Sequence, residues 1–365
     1  MSATEFSLKQ RPRKPVESTS LPSPLVKSRG YTITYEESLR EVPWQTDNRF
    51  IRSGYRRRLR DIKSVLFSLV GYWHNETVNI HSHLWAALVY LLLLPLHFST
   101  HVTGIDLALR HLPVWSRSTF HTAETMLSES TNSSTMPDFD RLIPRPQTLV
   151  DTLALSIFLC SAVGCLSLSG YFHTVQCTSK ERCDSAHRGD YIGIVILIVG
   201  SFWPSLYYGF REEPLLQVGY IALITSLGVC GSADTGGHGN KLNSLLLFAH
   251  VDAAYTVLAP SRRTPGQIWH RTLTFIALGL SGVLPIGHLI AYKGSEWAMR
   301  EGGLGGLAAG GLCYILGAVL YAARFPERLF PGRFDLIGSS HQIFHCLVVA
   351  ASWCHYCAIR GMALH

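Results

Sequence analysis

The sequence predicts an all-α membrane protein in which seven transmembrane helices form a bundle. Of 365 residues, 47% are hydrophobic and only 16% are charged, too little charge for an ordinary soluble protein of this length. The apolar residues also gather in blocks of about 18 to 24 residues, which is the length a helix needs to cross about 30 Å of hydrocarbon. The blocks lack the alternation of barrel strands, so helices must satisfy the backbone in lipid.

The seven blocks define the predicted membrane domain, residues 64–365. The predicted spans are residues 77–97, 150–172, 190–210, 214–232, 270–292, 303–322 and 341–360. The preceding residues 1–63 are predicted to form a flexible, basic cytosolic tail. The first part of this tail is polar, rich in Ser, Pro, Lys and Arg, and has no apolar core of the kind found in a cleavable signal peptide.

Basic residues predict the orientation of the bundle. Arg52, Arg56, Arg60 and Lys63 precede the first span, and the cytoplasm retains such clusters. The N-terminus is therefore predicted to be cytosolic and, after seven spans, the C-terminus to lie outside. For the arginines from Arg56 to Arg60, contact with anionic lipid competes with this topology signal, which the sequence favours. Apart from the net charge of +7, nothing supports nucleic-acid binding.

Two connections between spans are long. Residues 98–149 are predicted to lie outside, on the side of the membrane opposite the cytosol, and residues 233–269 in the cytosol. The second connection contains a semi-apolar piece, residues 242–258, interrupted by His250 and Asp252. Because this piece is short and carries two ionisable groups, we expect an interfacial or buried helix rather than an eighth span.

Five polar residues fall at helix ends that share one side of the membrane. Successive spans reverse direction, so the end of the second, the start of the third and the start of the seventh lie together. These ends carry Ser169, His173, Asp190, His341 and His345. Residues four apart share a helix face, which aligns Ser169 with His173 and His341 with His345. Two facing helices thus offer three imidazoles to one point.

Three neutral imidazoles with an open fourth position suit a catalytic zinc ion. Bound zinc lowers the pKa of its water ligand to about 7, which makes hydroxide available in the cytosol. Asp190 is the candidate to hold or deprotonate this water and later to protonate a leaving group. Ser169 is the candidate to hydrogen-bond the water or a substrate oxygen. The sequence therefore predicts His173, His341 and His345 as metal ligands, and Asp190 and Ser169 as catalytic residues.

Structural alternatives exist for each residue taken alone. A single intramembrane histidine often serves as an interhelical hydrogen-bond partner. Asp190 could favour the positive end of its helix, and Ser169 beside Gly170 could serve close packing. The joint occurrence of these residues favours a zinc site, because ionisable groups at membrane depth are costly. His83 carries less weight, since it diverges from His81 on a helix.

Four motifs in this order resemble the signatures of the progestin and adipoQ receptor family, and its fungal-type members in particular. This family includes the adiponectin receptors and the haemolysin III-like proteins. The motifs occupy residues 74–83 (HNETVNIHSH), 169–174 (SGYFHT), 188–191 (RGDY) and 340–345 (SHQIFH). Apart from the family, the Glu76–Ile80 part of the first motif suggests only helix capping or interhelical hydrogen bonding. The resemblance extends from about Ser64 to Ile359.

The resemblance implies both a fold and a chemistry. It implies seven helices with a cytosolic N-terminus, and a zinc ion held by His173, His341 and His345 near the cytosolic side. Asp190 and Ser169 match the residues that stand by the zinc-bound water. Adiponectin receptors are associated with ceramidase activity, which releases a fatty acid and a sphingoid base. Fungal relatives are associated with zinc homeostasis and lipid metabolism.

Two functional hypotheses follow. The first is a zinc-dependent intramembrane hydrolase that acts on a ceramide-like lipid amide. The second is a membrane receptor or regulator of zinc homeostasis and lipid metabolism in which the zinc is structural. A metal transporter is less favoured, because no chain of carboxylates or histidines continues across the spans. The expected partners are membrane lipids, an extracellular ligand and a cytosolic signalling protein, and the expected location is the plasma membrane or an endomembrane.

Overall fold

A computed structural model describes residues 30–103, 148–230 and 265–364 of this chain. Most of the two long connections predicted from the sequence, including the expected helix at residues 242–258, lies outside the described residues. The described elements are two short strands, β1 (Thr32–Ile33) and β2 (Tyr55–Arg56), with the helices α1 (Tyr35–Glu41), α2 (Ile62–Val70), α3 (Thr77–Thr103), α4 (Leu149–Val175), α5 (Lys180–Gly209), α6 (Pro214–Cys230), α7 (Ile268–Leu280), α8 (Val283–Lys293), α9 (Ser295–Arg300), α10 (Leu304–Ala323) and α11 (Ser340–Leu364).

The all-α membrane fold predicted from the sequence is confirmed. Within the described ranges, six helical segments are long and apolar enough to cross a membrane: α3, α4, α5, α7 with α8, α10 and α11. Helix α6 is also apolar, but it is shorter than these six over the residues whose side chains are described. The chain is therefore a multi-pass integral membrane protein, while the count of seven spans and the orientation of the termini stay predictions.

The core of the bundle lies where α3, α4 and α11 meet. Phe158 and Leu159 of α4 and Ile359 of α11 are fully buried, and Tyr90 of α3 joins the same apolar cluster. Many of the other large apolar side chains on these helices are exposed, among them Trp85 and Trp353. This distribution is that of a helix bundle whose outer faces contact lipid rather than water.

Part of the segment before the first span, residues 30–63, is folded, where the sequence predicts the last part of a flexible tail; residues 1–29 of that predicted tail lie outside the described residues. Strands β1 and β2 pair in antiparallel fashion, with Thr32 opposite Arg56. Ile33, Val42 and Tyr55 are buried in a small apolar cluster of their own. The polar composition of the first residues concealed these few apolar positions. We call residues 32–59 the N-terminal strap.

Helices α10 and α11 approach closely along the glycines of α10. A Cβ atom added at Gly306 would lie 2.9 Å from the Cβ of Ala358, and one at Gly310 would lie 2.9 Å from the carbonyl oxygen of Ala351. Distances below about 3.4 Å are closer than carbon atoms normally pack. These glycines therefore set how near α10 lies to the helix that carries His341 and His345.

Helix α5 begins earlier than the predicted span. Its N-cap is Ser179, whose side chain accepts a hydrogen bond from the amide of Arg182. Asp190 therefore lies well inside α5, about three turns from its first residue. The effect of a helix terminus falls off within its first turn, so the alternative that Asp190 serves the helix dipole is wrong.

Candidate metal centre

Three histidine rings from two helices meet at one end of the bundle, as the sequence predicts. The ring centroid of His173 on α4 lies 4.9 Å from that of His341 and 4.7 Å from that of His345. The rings of His341 and His345, one turn apart on α11, are 4.9 Å apart. One nitrogen of each ring falls within 4.8 Å of the others. Such a triangle of imidazoles, with His173 and His345 buried and His341 half-buried, could hold a metal ion.

Glu76 fixes the ring of His173. A carboxylate oxygen of Glu76 lies 2.7 Å from Nδ1 of His173, so Nδ1 donates its proton to this oxygen when Glu76 is ionised. The other nitrogen, Nε2, is buried and has no hydrogen-bond partner among the described residues. A carboxylate behind the ring and a bare nitrogen in front are the arrangement in which histidine binds metals. The His173 side chain therefore fits a metal ligand.

The pKa of Glu76 agrees with this arrangement. Burial alone raises the pKa of this carboxyl group, but its electrostatic interaction with the His173 ring and the hydrogen bond to that ring outweigh burial and hold the pKa well below its ordinary value. Asn79 also donates to the same oxygen, at 2.7 Å. Glu76 is thus an anion next to the cluster, which favours a cation there.

A backbone carbonyl orients the ring of His345 in the same way as Glu76 orients that of His173. Nδ1 of His345 lies 3.0 Å from the carbonyl oxygen of Asn79, and because a carbonyl only accepts, Nδ1 must carry the proton. Nε2 is then the nitrogen left with a free lone pair. The side chain is 2% exposed. Two of the three histidines therefore present Nε2 through hydrogen bonds made by residues at the start of α3.

The start of α11 is held firmly where His341 and His345 begin. The buried carboxylate of Glu327 accepts a hydrogen bond from the backbone amide of Ser340 at 2.8 Å and another from the Ser340 hydroxyl. The side-chain amide of Gln342 donates to the carbonyl oxygen of Asn75 at 3.0 Å. A carboxylate at a helix N-terminus is stabilised by the helix dipole. These bonds fix the direction in which α11 presents its two histidines.

The two predicted catalytic residues lie beside the cluster. Asp190 lies close enough to Ser169 and to His173 to interact with both side chains. Ser169 is 3% exposed and sits one turn before His173 on α4. The structure thus brings all five predicted site residues to one end of the bundle, while the catalytic roles of Asp190 and Ser169 stay predictions.

A small polar cavity lies between the N-terminal strap and the helix ends. Its volume is about 40 Å³, and it reaches Glu76, Asn79 and His341 from the side of Asp47 and Arg324. The last two residues form an ion pair at 2.7 Å. A polar cavity of this size can hold water, so water has a place next to His341.

Sequence reasoning missed four residues of this region. Glu76 and Asn79 belong to the motif that suggested only capping or interhelical bonding, and Glu76 does form an interhelical bond. His83, given less weight, is 3% exposed and stacks on His345 with ring centroids 3.8 Å apart. Arg56, interpreted as a topology signal, is fully buried. The spacing of Asn79 and His83, four residues apart as in the other two site motifs, was the signal available.

Comparison with known proteins agrees with the geometry. The profile of the family described as "Haemolysin-III related" matches residues 71–356, which include all five predicted site residues. The chain is 32% identical over 325 residues to the "Adiponectin receptor protein" of Drosophila melanogaster, covering 88% of this chain but 58% of the fly protein. The chain thus spans less than two thirds of the length of that relative.

Similar identities are found in plants and fungi. The "Heptahelical transmembrane protein ADIPOR1" of Oryza sativa is 32% identical, with 88% of this chain and 82% of the rice protein covered. The "ADIPOR-like receptor IZH2" of Saccharomyces cerevisiae is also 32% identical, with 88% and 81% covered. The similarity therefore extends over about four fifths of the length of two relatives from different kingdoms.

Proposed function

This chain belongs to the haemolysin-III related family of multi-pass membrane proteins, and we propose that it is a zinc-dependent hydrolase of lipid amides. The observation that carries the proposal is the pairing of His173 with Glu76. The carboxylate holds Nδ1 and leaves the buried Nε2 without a partner among the described residues. His341 and His345 complete the set of candidate ligands. Nitrogen donors alone, with no thiolate among them, suit zinc.

The residues of this chain divide the chemistry among them. A bound zinc ion would supply Lewis acidity and lower the pKa of a coordinated water to about 7. Asp190 takes the proton lost when water attacks the amide carbonyl carbon, and returns it to the nitrogen as the carbon–nitrogen bond breaks. Ser169, close to Asp190, orients that carboxylate or a substrate oxygen. The products are a carboxylic acid and an amine.

The position of the site favours a lipid substrate. His173 and Ser169 lie near the end of α4 and Asp190 lies within α5, both of which are membrane-crossing helices. A substrate that enters between helices comes from the bilayer, and its polar group then meets the site near the end of the helices. We propose a ceramide-like amide, which releases a fatty acid and a sphingoid base. The choice of an amide over an ester rests on the family resemblance.

A receptor or regulator of zinc homeostasis and lipid metabolism is the second candidate. The fly and yeast relatives are named receptors, and the folded strap offers a surface near the site to a cytosolic signalling partner. In this alternative the metal is structural and an extracellular ligand supplies the input. The two candidates are compatible when the released lipid is itself the signal. Both place the protein in the plasma membrane or an endomembrane.

The test uses the purified full chain in lipid nanodiscs, with zinc content and release of fluorescent fatty acid from a labelled ceramide as readouts. His341→Ala is expected to lose both zinc and release. His288→Gln is the matched control, because His288 bonds the Tyr220 hydroxyl through Nδ1 at 2.9 Å and is not in the cluster. Equal release by the zinc-free His341→Ala variant and the control would reject the hydrolase. If the wild-type protein and the control bind zinc but none of the proteins releases fatty acid, the second candidate is favoured.

A further inference from the structure

We infer that Arg56 is a positioning residue for the metal centre, and that it acts by fixing the last turn of α4, which carries His173. The inference rests on the proposed metal site. Arg56 lies in β2 of the N-terminal strap, far from His173 in sequence. Its side chain is fully buried, although its place in a basic cluster suggests a surface residue.

The guanidinium group of Arg56 binds the backbone of the ligand-bearing turn. Nη2 donates to the carbonyl oxygen of His173, and Nη1 donates to the carbonyl oxygen of Thr174 at 3.0 Å. Nη1 also donates to the hydroxyl of Ser68 on α2, at 3.2 Å. The planar fork of arginine thus holds two consecutive carbonyls of α4 at once, which a single ammonium group cannot do with the same geometry.

The charge of Arg56 is balanced by the helix end. In the part of the chain that the structure describes, no carboxylate pairs with this guanidinium within 4.0 Å. Helix α4 ends at Val175, so the carbonyls of His173 and Thr174 belong to the last turn, which lacks intrahelical donors and carries partial negative charge. Removing Arg56 would leave these buried carbonyls without a charged donor.

The rest of the strap secures the same chain end beyond the helix. The indole of Trp44 donates to the carbonyl oxygen of Gln176 at 2.7 Å, and Arg58 donates to that of Thr178 at 3.1 Å. The amide of Leu59 donates to the carbonyl oxygen of Cys177 at 3.3 Å. The strap therefore holds the chain directly after α4, and Arg56 holds the carbonyl of His173 itself.

These contacts fix both the side-chain ring and the main chain of His173. Glu76 holds the ring through Nδ1 at 2.7 Å, and Arg56 holds the main chain. In a metal site built from two helices, the ligand on one helix must lie at the correct distance from the two ligands on the other. Small displacements of a residue that supports a ligand therefore weaken metal binding. We therefore expect loss of Arg56 to weaken metal binding more than it weakens the fold.

The experiment measures zinc affinity by competition with a chelator, and the absorption bands of bound Co²⁺, for Arg56→Gln and Arg56→Lys in the full chain. Arg57→Gln is the matched control, since Arg57 is the next residue, is about a third exposed and bonds Glu41. We expect about tenfold to hundredfold weaker zinc binding in Arg56→Gln, a smaller loss in Arg56→Lys, and shifted Co²⁺ bands in both. Trp44→Phe is expected to lower the melting temperature without shifting the bands.

Each outcome decides the inference. Zinc affinity and Co²⁺ bands in both Arg56 variants that equal those of Arg57→Gln would overturn it. If Arg56→Gln does not fold, the zinc affinity and Co²⁺ bands of Arg56→Lys alone test the inference, because lysine retains the charge but cannot bond two carbonyls with the geometry of the guanidinium group. If wild type and Arg57→Gln themselves bind no zinc, the metal site of the proposed function fails, and the role given to Arg56 fails with it. Loss confined to the Arg56 variants supports the inference.

Discussion

Glu76 and His173, which are 97 residues apart in sequence, form a hydrogen bond of 2.7 Å between a carboxylate oxygen and Nδ1. The bond joins the residue that precedes α3 to the last turn of α4, and it selects the tautomer in which Nε2 of His173 is free. The same Glu76 oxygen is also bonded by Asn79. A motif at the entrance to the first span thus orients a candidate ligand on the second.

Replacement of Glu76 tests this relationship. Glu76→Gln keeps an acceptor for Nδ1 but removes the negative charge, whereas Glu76→Ala removes both. We expect zinc affinity to fall by about tenfold to hundredfold in Glu76→Ala, the range typical of partners behind metal-binding histidines, and by less in Glu76→Gln. Chelator competition on the purified variants measures the affinity. Equal affinity of Glu76→Ala and wild type would show that Glu76 does not support a metal ligand.

Asp190→Asn separates metal binding from catalysis. Asparagine retains the shape of the side chain but cannot accept a proton from water. We expect zinc content to remain at the wild-type level and lipid-amide hydrolysis to fall by about 10²-fold to 10⁴-fold, the range attributed to general acid–base catalysis. Metal analysis and a ceramide hydrolysis assay on one preparation measure both. Retained hydrolysis in the variant would remove Asp190 from the mechanism.

Because His74 is buried in its neutral form, we expect the protein to lose folding stability in acid. Nδ1 of His74 accepts the amide of Glu76 at 3.2 Å, and its Nε2 faces the carbonyl oxygen of Ser68 at 3.1 Å, so the neutral ring satisfies both bonds. Burial, assisted by the nearby charge of Arg56, lowers the pKa of His74 to about 3. The unfolded chain, with a pKa of about 6.5, binds a proton first as the pH falls.

The stabilisation from neutral His74 is therefore fully present above about pH 6.5 and is lost as the pH falls from there towards 3. The slope contributed by one group is at most about 1.4 kcal/mol per pH unit. Thermal unfolding of the detergent-solubilised protein between pH 7.5 and pH 4.5 measures it. His74→Gln should show a shallower dependence on pH than wild type. Parallel curves for the two proteins would reject the role of His74.

Two neighbouring glycines of α10 provide a packing test. A Cβ at Gly310 would lie 2.9 Å from the carbonyl oxygen of Ala351 on α11, whereas Gly311 has nothing within 4 Å. We expect Gly310→Ala to destabilise the protein by about 1 to 3 kcal/mol through overpacking. Gly311→Ala should be neutral or stabilising by up to about 1 kcal/mol, through helix propensity. Melting temperatures of the two variants that shift equally would contradict this packing of α10 on α11.

Much of the site follows from chain topology, and this explains what the sequence could predict. His341 and His345 share a helix face by their spacing, and alternating span directions bring His173 to the same side. These rules need only the spans and the periodicity of a helix. The all-α membrane class follows from the same information, because apolar blocks of this length have few other solutions in lipid.

The supporting residues could not be predicted because their roles depend on tertiary contacts. Arg56 in a basic cluster suggests a topology signal until the carbonyl groups that it binds are known. The strap folds because four separated residues, Ile33, Val42, Ile51 and Tyr55, pack together, and no periodic pattern marks them. Asp190 was assigned to the start of a span because the polar residues that precede it, back to Ser179, concealed about three further turns of helix.

The central claim is that His173, His341 and His345 hold one zinc ion, and metal analysis combined with X-ray absorption spectroscopy of the purified protein tests it most directly. We expect one zinc per chain, a ligand shell of nitrogen and oxygen with imidazole scattering, and loss of the metal in His173→Ala and His345→Ala but not in His288→Gln. A zinc content that is unchanged in both alanine variants, or a shell that contains sulfur, would contradict the claim.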